Sequence, residues 1–330
     1  MVHERIAKLK QQFPEGTFLE NEPMSAHTSF RIGGPADLFA EPSSADELAE
    51  FIAAAENAGV PYLVLGNGSN VLVKDGGIDG LVIHIGPKMA RIDIRPFPTG
   101  FDDGWYTLTA EAGALLSEIS MAALEAGPII GDETKGLTGL EFASGIPGSL
   151  GGGLFMNAGA YGGELADSVQ TVLALDPETG SLREYTNPEM TFGYRRSVLQ
   201  KTGEIAVEAT LLVKVSDKSE IVREIDDLRA RCVSKQPLRY PSAGSFFKRP
   251  EGHFAGKLIE DAGLKGLSIG GARISELHAG FLINTGGATA RDVLRLMHVV
   301  QATVWEKDGV RLEPEVRIIG REPSGMNGDD

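Results

Sequence analysis

Hydrophobic positions recur along this chain at two spacings, and the changes of spacing divide it. In SSADELAEFIAAAENA (43–58), Leu48, Phe51, Ile52 and Ala55 share one helical face behind a Ser/Asp start, which predicts a capped amphipathic helix. VPYLVLG (60–66) then reads as a short buried strand, GNGSN (66–70) as a tight polar turn and VLV (71–73) as a further strand, together a β–α–β unit; GLVIHI (80–85) reads as another strand. Between 90 and 220 the pattern alternates in YTLTAEAG, VQTVLALDPETGSLREY and EIAVEATLLVKV, with DPETG as a turn and one interrupting helix from Leu115 to Glu125. From Ser219 helical spacing returns in SEIVREIDDLRARCVSK, with Ile221, Ile225 and Leu228 on one face, and in Arg291–Glu306. LEPEVRIIG (312–320) reads as a terminal strand. These shifts predict an α+β chain divided into segments 1–85, 86–218 and 219–320, with a tail at 321–330.

Composition narrows the function. Of 330 residues 42% are hydrophobic and 23% charged, ordinary values for a globular protein. A net charge of −15 argues against general nucleic-acid binding, so any anionic ligand needs its own local Arg and Lys. The single cysteine, Cys232, excludes an internal disulfide, a cysteine-ligated zinc site and a bound iron–sulfur cluster, and fits a reducing compartment. No apolar run reaches bilayer length, and MVHERIAKLKQQFPEG has no apolar signal region, so the expectation is a cytoplasmic protein without membrane insertion. The tail GREPSGMNGDD is expected to be solvated.

The chemistry concentrates in glycine. GNGSNV (66–71) begins like the dinucleotide fingerprint but places Val71 where a small residue belongs, and GDETKGLT (131–138) has P-loop spacing with Leu137 in place of the lysine. Neither motif holds. Gly66 and Gly68 still permit positive φ, so the turn can aim bare N–H groups at an anion, with Ser69 and Asn70 adding donors; a plain strand-to-strand turn explains it equally. SGIPGSLGGGLFMNAGAYGGE (144–164) has too much glycine for a core helix and reads as a loop stiffened by Pro147. Two separated glycine-rich loops suit a dinucleotide with its diphosphate against main chain and its ring against small residues. A glycine-rich barrel corner is the alternative.

The ordered set HTSFRIGGPAD (27–37), LGNGSNVLV (65–73), GLEFASGIPGSLGGGLFMNAGAYGGE (139–164), FGYRRS (192–197), KQPLRYPSAGSFFKRPEGHFAGKLIEDAGLKG (235–266), SELHAGFLIN (275–284) and LEPEVRIIG (312–320) resembles the bacterial UDP-N-acetylenolpyruvoylglucosamine reductase family, and its C-terminal part the shorter type II branch. The resemblance implies non-covalent FAD in a two-part domain like that of vanillyl-alcohol oxidase, 1–85 and 86–218, with a C-terminal α/β substrate domain, 219–320, over the substrate. NADPH is the implied co-substrate, and UDP-N-acetylglucosamine enolpyruvate the implied substrate for peptidoglycan synthesis. By motif position it assigns to FAD Arg31, Ile32, Gly33, Gly66, Asn67, Gly68, Ser69, Asn70, Gly145, Ile146, Pro147, Gly148, Ser149, Gly152, Asn157, Gly159 and Arg317. Two departures stand out: Arg249 occupies a position where many members have Asn, and RPFPTGFDDGWY (95–106) is long and reads as a surface hairpin.

Reducing an enolpyruvyl ether leaves negative charge beside a carboxylate and requires a proton. The resemblance puts Arg195 and Glu315 at that carboxylate and makes Ser245 the proton donor. The residue types suit this chemistry, since a guanidinium forks onto a carboxylate and a hydroxyl can protonate a carbanion-like centre. Lys235 and Lys248, from the basic set Arg231, Lys235, Arg239, Lys248 and Arg249, are expected at the diphosphate. Tyr161, Tyr194 and His278 are expected further contacts. No ligand spacing accompanies His278, so no metal is expected. The competing readings are a sugar-oxidase-type flavoenzyme, which a covalent flavin would favour, and a non-catalytic nucleotide-sugar sensor.

Overall fold

The computed structural model describes residues 2–97 and 104–323. Two compact units emerge, and they interleave. The first comprises 1–13, 40–67 and 83–232; the second comprises 14–39, 68–82 and 233–330. The chain therefore changes unit inside GNGSN, between Asn67 and Gly68. The expected consecutive segments 1–85 and 86–218 do not coincide with these units, because 14–39 and 68–82 group with the C-terminal residues.

In the first unit the helix Ala45–Ala58 starts at Ser44, whose side chain accepts from Glu47 N–H, while Ser43 donates N–H and Oγ–H to the Glu47 carboxylate. These bonds, the Ser43 hydroxyl first, hold the Glu47 pKa below its ordinary value. The helix ends at Gly59, φ 67°, with Gly59 N–H on Glu56 O and Val60 N–H on Ala55 O, a Schellman closure. Leu48, Phe51, Ile52 and Ala55 are buried, as the spacing predicts.

The same unit holds an antiparallel sheet whose strands run in the order Leu182–Thr186, Val169–Leu175, Ile205–Asp217, Trp105–Glu111, Ile92–Pro96, with Lys135–Thr138 also paired to Ile205–Asp217. On Ile205–Asp217, Val207, Ala209, Leu211 and Val213 are buried at alternate positions, and Ala209, Leu211 and Val213 join a core with Leu108, Ile119, Leu150, Leu154 and Val172. DPETG turns the chain between Leu175 and Leu182, with Asp176 accepting from Glu178 N–H and Thr179 Oγ–H. Ile92–Pro96 and Trp105–Glu111 form the arms of the expected hairpin; its connection, 98–103, and the tail from 324 lie outside the described residues.

LGGGLFM, expected to be loop, is the short helix Leu150–Met156. Its glycines let it lie close to its neighbours: a Cβ on Gly153 would come within 2.9 Å of Leu165 Cδ1, and one on Gly151 within 3.0 Å of Ala112 Cβ. Leu150 and Gly151 donate N–H to Ala114 O and Ala112 O, both at 2.8 Å, so these groups serve the fold and are not open to an anion. Tertiary approach here outweighs the poor helix propensity of glycine.

The second unit is assembled from sequence-distant pieces. Leu19–Pro23 pairs antiparallel with Pro35–Ala40. Val71–Val73 pairs in parallel with Arg317–Ile319, so the strand after GNGSN does not continue a hairpin with the one before it. Ser268–Ile269, Ala272–Ile274 and Leu282–Asn284 form a small sheet. The helix Ala290–Asp308 begins with a Thr289/Asp292 capping box and packs Val293, Leu296, Val300 and Val304 into a core with Phe30, Leu72, Phe246 and Ile259.

Candidate active site

In the first unit the two glycine-rich loops meet. Asn67 donates N–H to Ser149 Oγ at 3.3 Å and Nδ2–H to Pro147 O at 2.5 Å, across some eighty residues of chain. Gly66 permits this contact, since a Cβ there would sit 2.4 Å from Ser149 Oγ. Ser149 is buried, and Gly145, Pro147 and Gly152 beside it are exposed. Ile146 donates N–H to Ala143 O, and Gly148 O accepts from Leu116 N–H, so this loop is partly consumed by main-chain bonding.

The glycines of 144–164 now separate by cause. Gly151, Gly153, Gly159 and Gly163 are required by close contacts, and Gly162 by a φ of 103°. Gly145 and Gly152 are required by neither: a Cβ on Gly145 would meet nothing within 4 Å, and one on Gly152 would meet only Ser149 Oγ, at 3.9 Å. These two bare, exposed faces flank Ser149, and they fit a large flat group lying against main chain.

Farther along, the chain carries two tight hairpins with expected site residues at their tips. Gly159–Ala160 pairs with Gly163–Glu164 around Tyr161 and Gly162, both at positive φ. Tyr161 is 42% exposed and hydrogen-bonds to Cys232, which opposes the upward push of burial on that thiol. Gly193 and Arg196 exchange N–H···O bonds of 3.0 and 3.1 Å around Tyr194 and Arg195, and the Arg195 guanidinium lies 5.3 Å from the centre of the Tyr194 ring. Asn157 is buried, with Oδ1 accepting from Ala166 N–H and Nδ2–H donating to Gly193 O; both ends of its amide hold protein. Among the described residues, the non-glycine positions at positive φ are Asn21, Arg31, Asn157, Tyr161, Thr191 and Arg195. Four of these six are expected site residues, and such strain gathers where function over-determines the backbone.

In the second unit the remaining residues of GNGSN join the C-terminal strands. Gly68, φ 60°, lies against His27 O, and Ser29 donates N–H to Gly68 O and Oγ–H to Ser242 O. Asn70 Nδ2–H donates to Glu315 O at 3.3 Å and Asn70 O accepts from Arg317 N–H at 3.0 Å. Ser245, exposed, precedes Phe246, whose N–H donates to Gly280 O and whose carbonyl accepts from Glu315 N–H at 2.8 Å. Ser245, Glu315 and Asn70 are thus brought onto adjoining segments, joined by main-chain bonds and the isolated bridge Phe247–Pro314. Lys248 donates N–H to Glu313 O, and its ammonium meets the Glu313 carboxylate at 3.2 Å. His278 is half-buried beside Phe281; its Nδ1 accepts from Gly280 N–H, leaving Nε2 as the donor of the neutral ring, and burial lowers its pKa.

The other expected site residues are spread over both units. Arg31 is exposed, Ile32 is buried in the core, and Gly33 packs on Val73, all in the second unit. Arg317 pairs opposite Val71 in the parallel ladder. Lys235 ends the helix Lys218–Lys235, exposed. Arg249 lies 4.1 Å over the Phe254 ring, and Arg231 pairs with Asp227. Of the three residues assigned to the chemistry, Arg195 belongs to the first unit and Ser245 and Glu315 to the second. The sequence reading missed Ser29, which joins Gly68 to Ser242, and Gln200, which bonds Arg195 O; nothing in SVLQKTG marks the latter. Among the described residues, no cluster of three or more His, Cys, Asp or Glu could hold a metal ion, and no helix is long and apolar enough to cross a membrane.

Residues 36–186 match the FAD binding domain family, so the class is a flavin-binding protein of α+β fold. Residues 236–319 match the C-terminal domain of UDP-N-acetylenolpyruvoylglucosamine reductase. Reductases of that name from Clostridium perfringens (strain SM101 / Type A) and Clostridioides difficile (strain 630) are 48% and 46% identical over 314 and 302 residues, covering 95% and 92% of this chain and 97% and 93% of theirs. The crystal structure of the reductase from Thermus caldophilus superposes with a TM-score of 0.74 at 35% identity, covering 91% of this chain and 99% of that one. The chain belongs to the UDP-N-acetylenolpyruvoylglucosamine reductase family.

Proposed function

We propose that this protein reduces UDP-N-acetylglucosamine enolpyruvate to UDP-N-acetylmuramate for peptidoglycan precursor synthesis, in the cytoplasm, with NADPH as the reductant. Bound FAD would carry the hydride from NADPH to the terminal vinyl carbon. Gly145, Gly152 and Asn67 would hold it, because they are exposed around the buried Ser149, which Asn67 bonds, and offer a flat, side-chain-poor surface.

The protein's own residues then manage charge and proton. Hydride addition leaves negative charge on the carbon next to the carboxylate. In this reading Arg195 forks onto that carboxylate and Glu315 flanks it, while Ser245 Oγ–H delivers the proton. The bond from Glu315 N–H to Phe246 O carries the reading, since it sets the proton donor's segment beside that of the carboxylate-flanking residue. Lys235 and Lys248 would meet the diphosphate, with Glu313 holding Lys248 in place until then. Neutral His278 would offer Nε2–H to a substrate oxygen. The test is anaerobic NADPH oxidation by FAD-loaded protein: it should depend on the enolpyruvyl sugar and yield UDP-N-acetylmuramate. NADPH consumption indifferent to that sugar would remove the assignment.

A further inference from the structure

The hairpin that carries Arg195 is clamped from outside by two side-chain amides, and one of them has no place in the chemistry above. Arg195 sits at φ 53°, a conformation an L-residue holds only when its surroundings impose it. On one side Asn157 Nδ2–H donates to Gly193 O at 3.3 Å, its amide oriented by Ala166 N–H. On the other, Gln200 Nε2 donates to Arg195 O at 3.0 Å and to Phe155 O at 2.7 Å. One amide group therefore joins the carbonyl of the strained residue to the glycine-rich helix Leu150–Met156. Gln200 is exposed, so no packing requirement accounts for an amide at this position.

We propose that Gln200 is a positioning residue for reduction of the enolpyruvyl sugar: by fixing the Arg195 carbonyl it holds the backbone from which the guanidinium is aimed. The proposal rests on the reading of Arg195 as the carboxylate-binding group. A long side chain loses less freedom on binding when its Cα and φ are already set, so the clamp pre-organises the fork.

Gln200→Met keeps the length and removes both donors. Phe155 O retains Ser197 Oγ–H at 2.9 Å, so the helix end keeps a partner. FAD content and flavin reduction by NADPH should stay within about twofold of wild type. Reoxidation of the reduced enzyme by the enolpyruvyl sugar should slow by about tenfold. Gln200→Glu, which loses the same donors at the same volume, should behave alike. Ser197→Ala removes a bond to the same Phe155 carbonyl but none to Arg195, and should leave reoxidation unchanged; a purely structural clamp would make Ser197→Ala and Gln200→Met equivalent. In an Arg195→Lys background, Gln200→Met should add little further slowing. Unchanged reoxidation in Gln200→Met, or the same slowing in both backgrounds, overturns the positioning role while leaving Arg195 in place. A wild-type rate in Arg195→Lys overturns the reading of Arg195 and the positioning role with it.

Discussion

The segment 144–159 of the first unit and the adjoining segments 245–248 and 313–317 of the second are both expected to hold ligand, and they are built in opposite ways. The first works by omission. Its exposed Gly145 and Gly152 are bare although neither φ nor packing requires it, and its polar side chains, Ser149 and Asn157, are buried and bonded within the protein. The second works by presentation. Its core side chains, Phe246 and Phe247, are buried, while the residues beside them, Ser245, Lys248 and Glu313, stand exposed on a main-chain frame closed by Phe246, Lys248, Gly280 and Glu315. Adding atoms should therefore damage the first region, and removing them the second. The two kinds of damage should appear in different measurements.

Ser245→Ala is the largest expected effect. The main-chain bonds that position the segment belong to Phe246 and Lys248, so losing an exposed hydroxyl should not unfold it. A positioned proton donor contributes about 10²–10⁴-fold to a rate. Stopped-flow flavin absorbance should show reduction by NADPH within a few-fold of wild type and reoxidation by the enolpyruvyl sugar slowed by that factor. Ser245→Cys should recover part of the loss. Equal slowing of both steps would reduce Ser245 to a shaping role and erase the contrast between the regions.

Gly152→Ala should act through the cofactor and with opposite signs. Position 152 is helical with ordinary φ and room for a methyl, so FAD-free protein should gain roughly 0.5–1 kcal/mol from the alanine, seen as a raised Tm. The same methyl would press on a group lying against this face, and FAD affinity should fall about tenfold, the equivalent of ~1.4 kcal/mol. A raised Tm with unchanged affinity would show that the bare face belongs to the helix alone.

How much of this was legible in the sequence depended on what each residue answers to. The helix 45–58 and the strand 205–217 were readable because periodicity records a local face, and Ser44 and Gly59 mark the ends of the helix locally too. The interleaving of the units was not, since Val71–Val73 finds its parallel partner at 317–319, and no local pattern encodes a pairing that distant. Glycine was the hardest to interpret. Gly68 looked like a phosphate-facing residue, yet its φ of 60° and a Cβ position 2.0 Å from His27 O demand glycine with or without a ligand. Gly68→Val therefore strains the protein itself and reports nothing about a cradle, whereas Gly145 and Gly152 can. Arg195, Ser245 and Glu315 were identified through ordered motifs; Gln200 was not, because its work is a pair of bonds to carbonyls, which leaves no pattern in a chain.

The smallest effect concerns His278 and tests whether the presented side chains of the second region arrive in a fixed charge state. Burial is the main cause that lowers its pKa below the ordinary 6.5, and Nδ1 already accepts from Gly280 N–H, which a protonated ring could not do. Folding therefore favours the neutral ring. The sign follows from linkage: the unfolded chain takes up the proton first as pH falls, so the stability held above about pH 6.5 is lost as pH drops through the folded-state value. The slope cannot exceed about 1.4 kcal/mol per pH unit for one proton, and half-exposure to solvent should keep it well below that. Other imidazoles, such as His27 beside Glu22 and His84 beside Glu41, are common to both proteins, so the informative quantity is a difference. His278→Asn keeps an acceptor near Nδ1 and does not titrate. Urea unfolding of both proteins from about pH 5 to 8 should give a stability difference that is flat above about pH 7 and shifts in favour of the variant below about pH 6.5. A difference independent of pH would mean that the ring is not held neutral, and that it would reach a substrate oxygen as a cation at low pH.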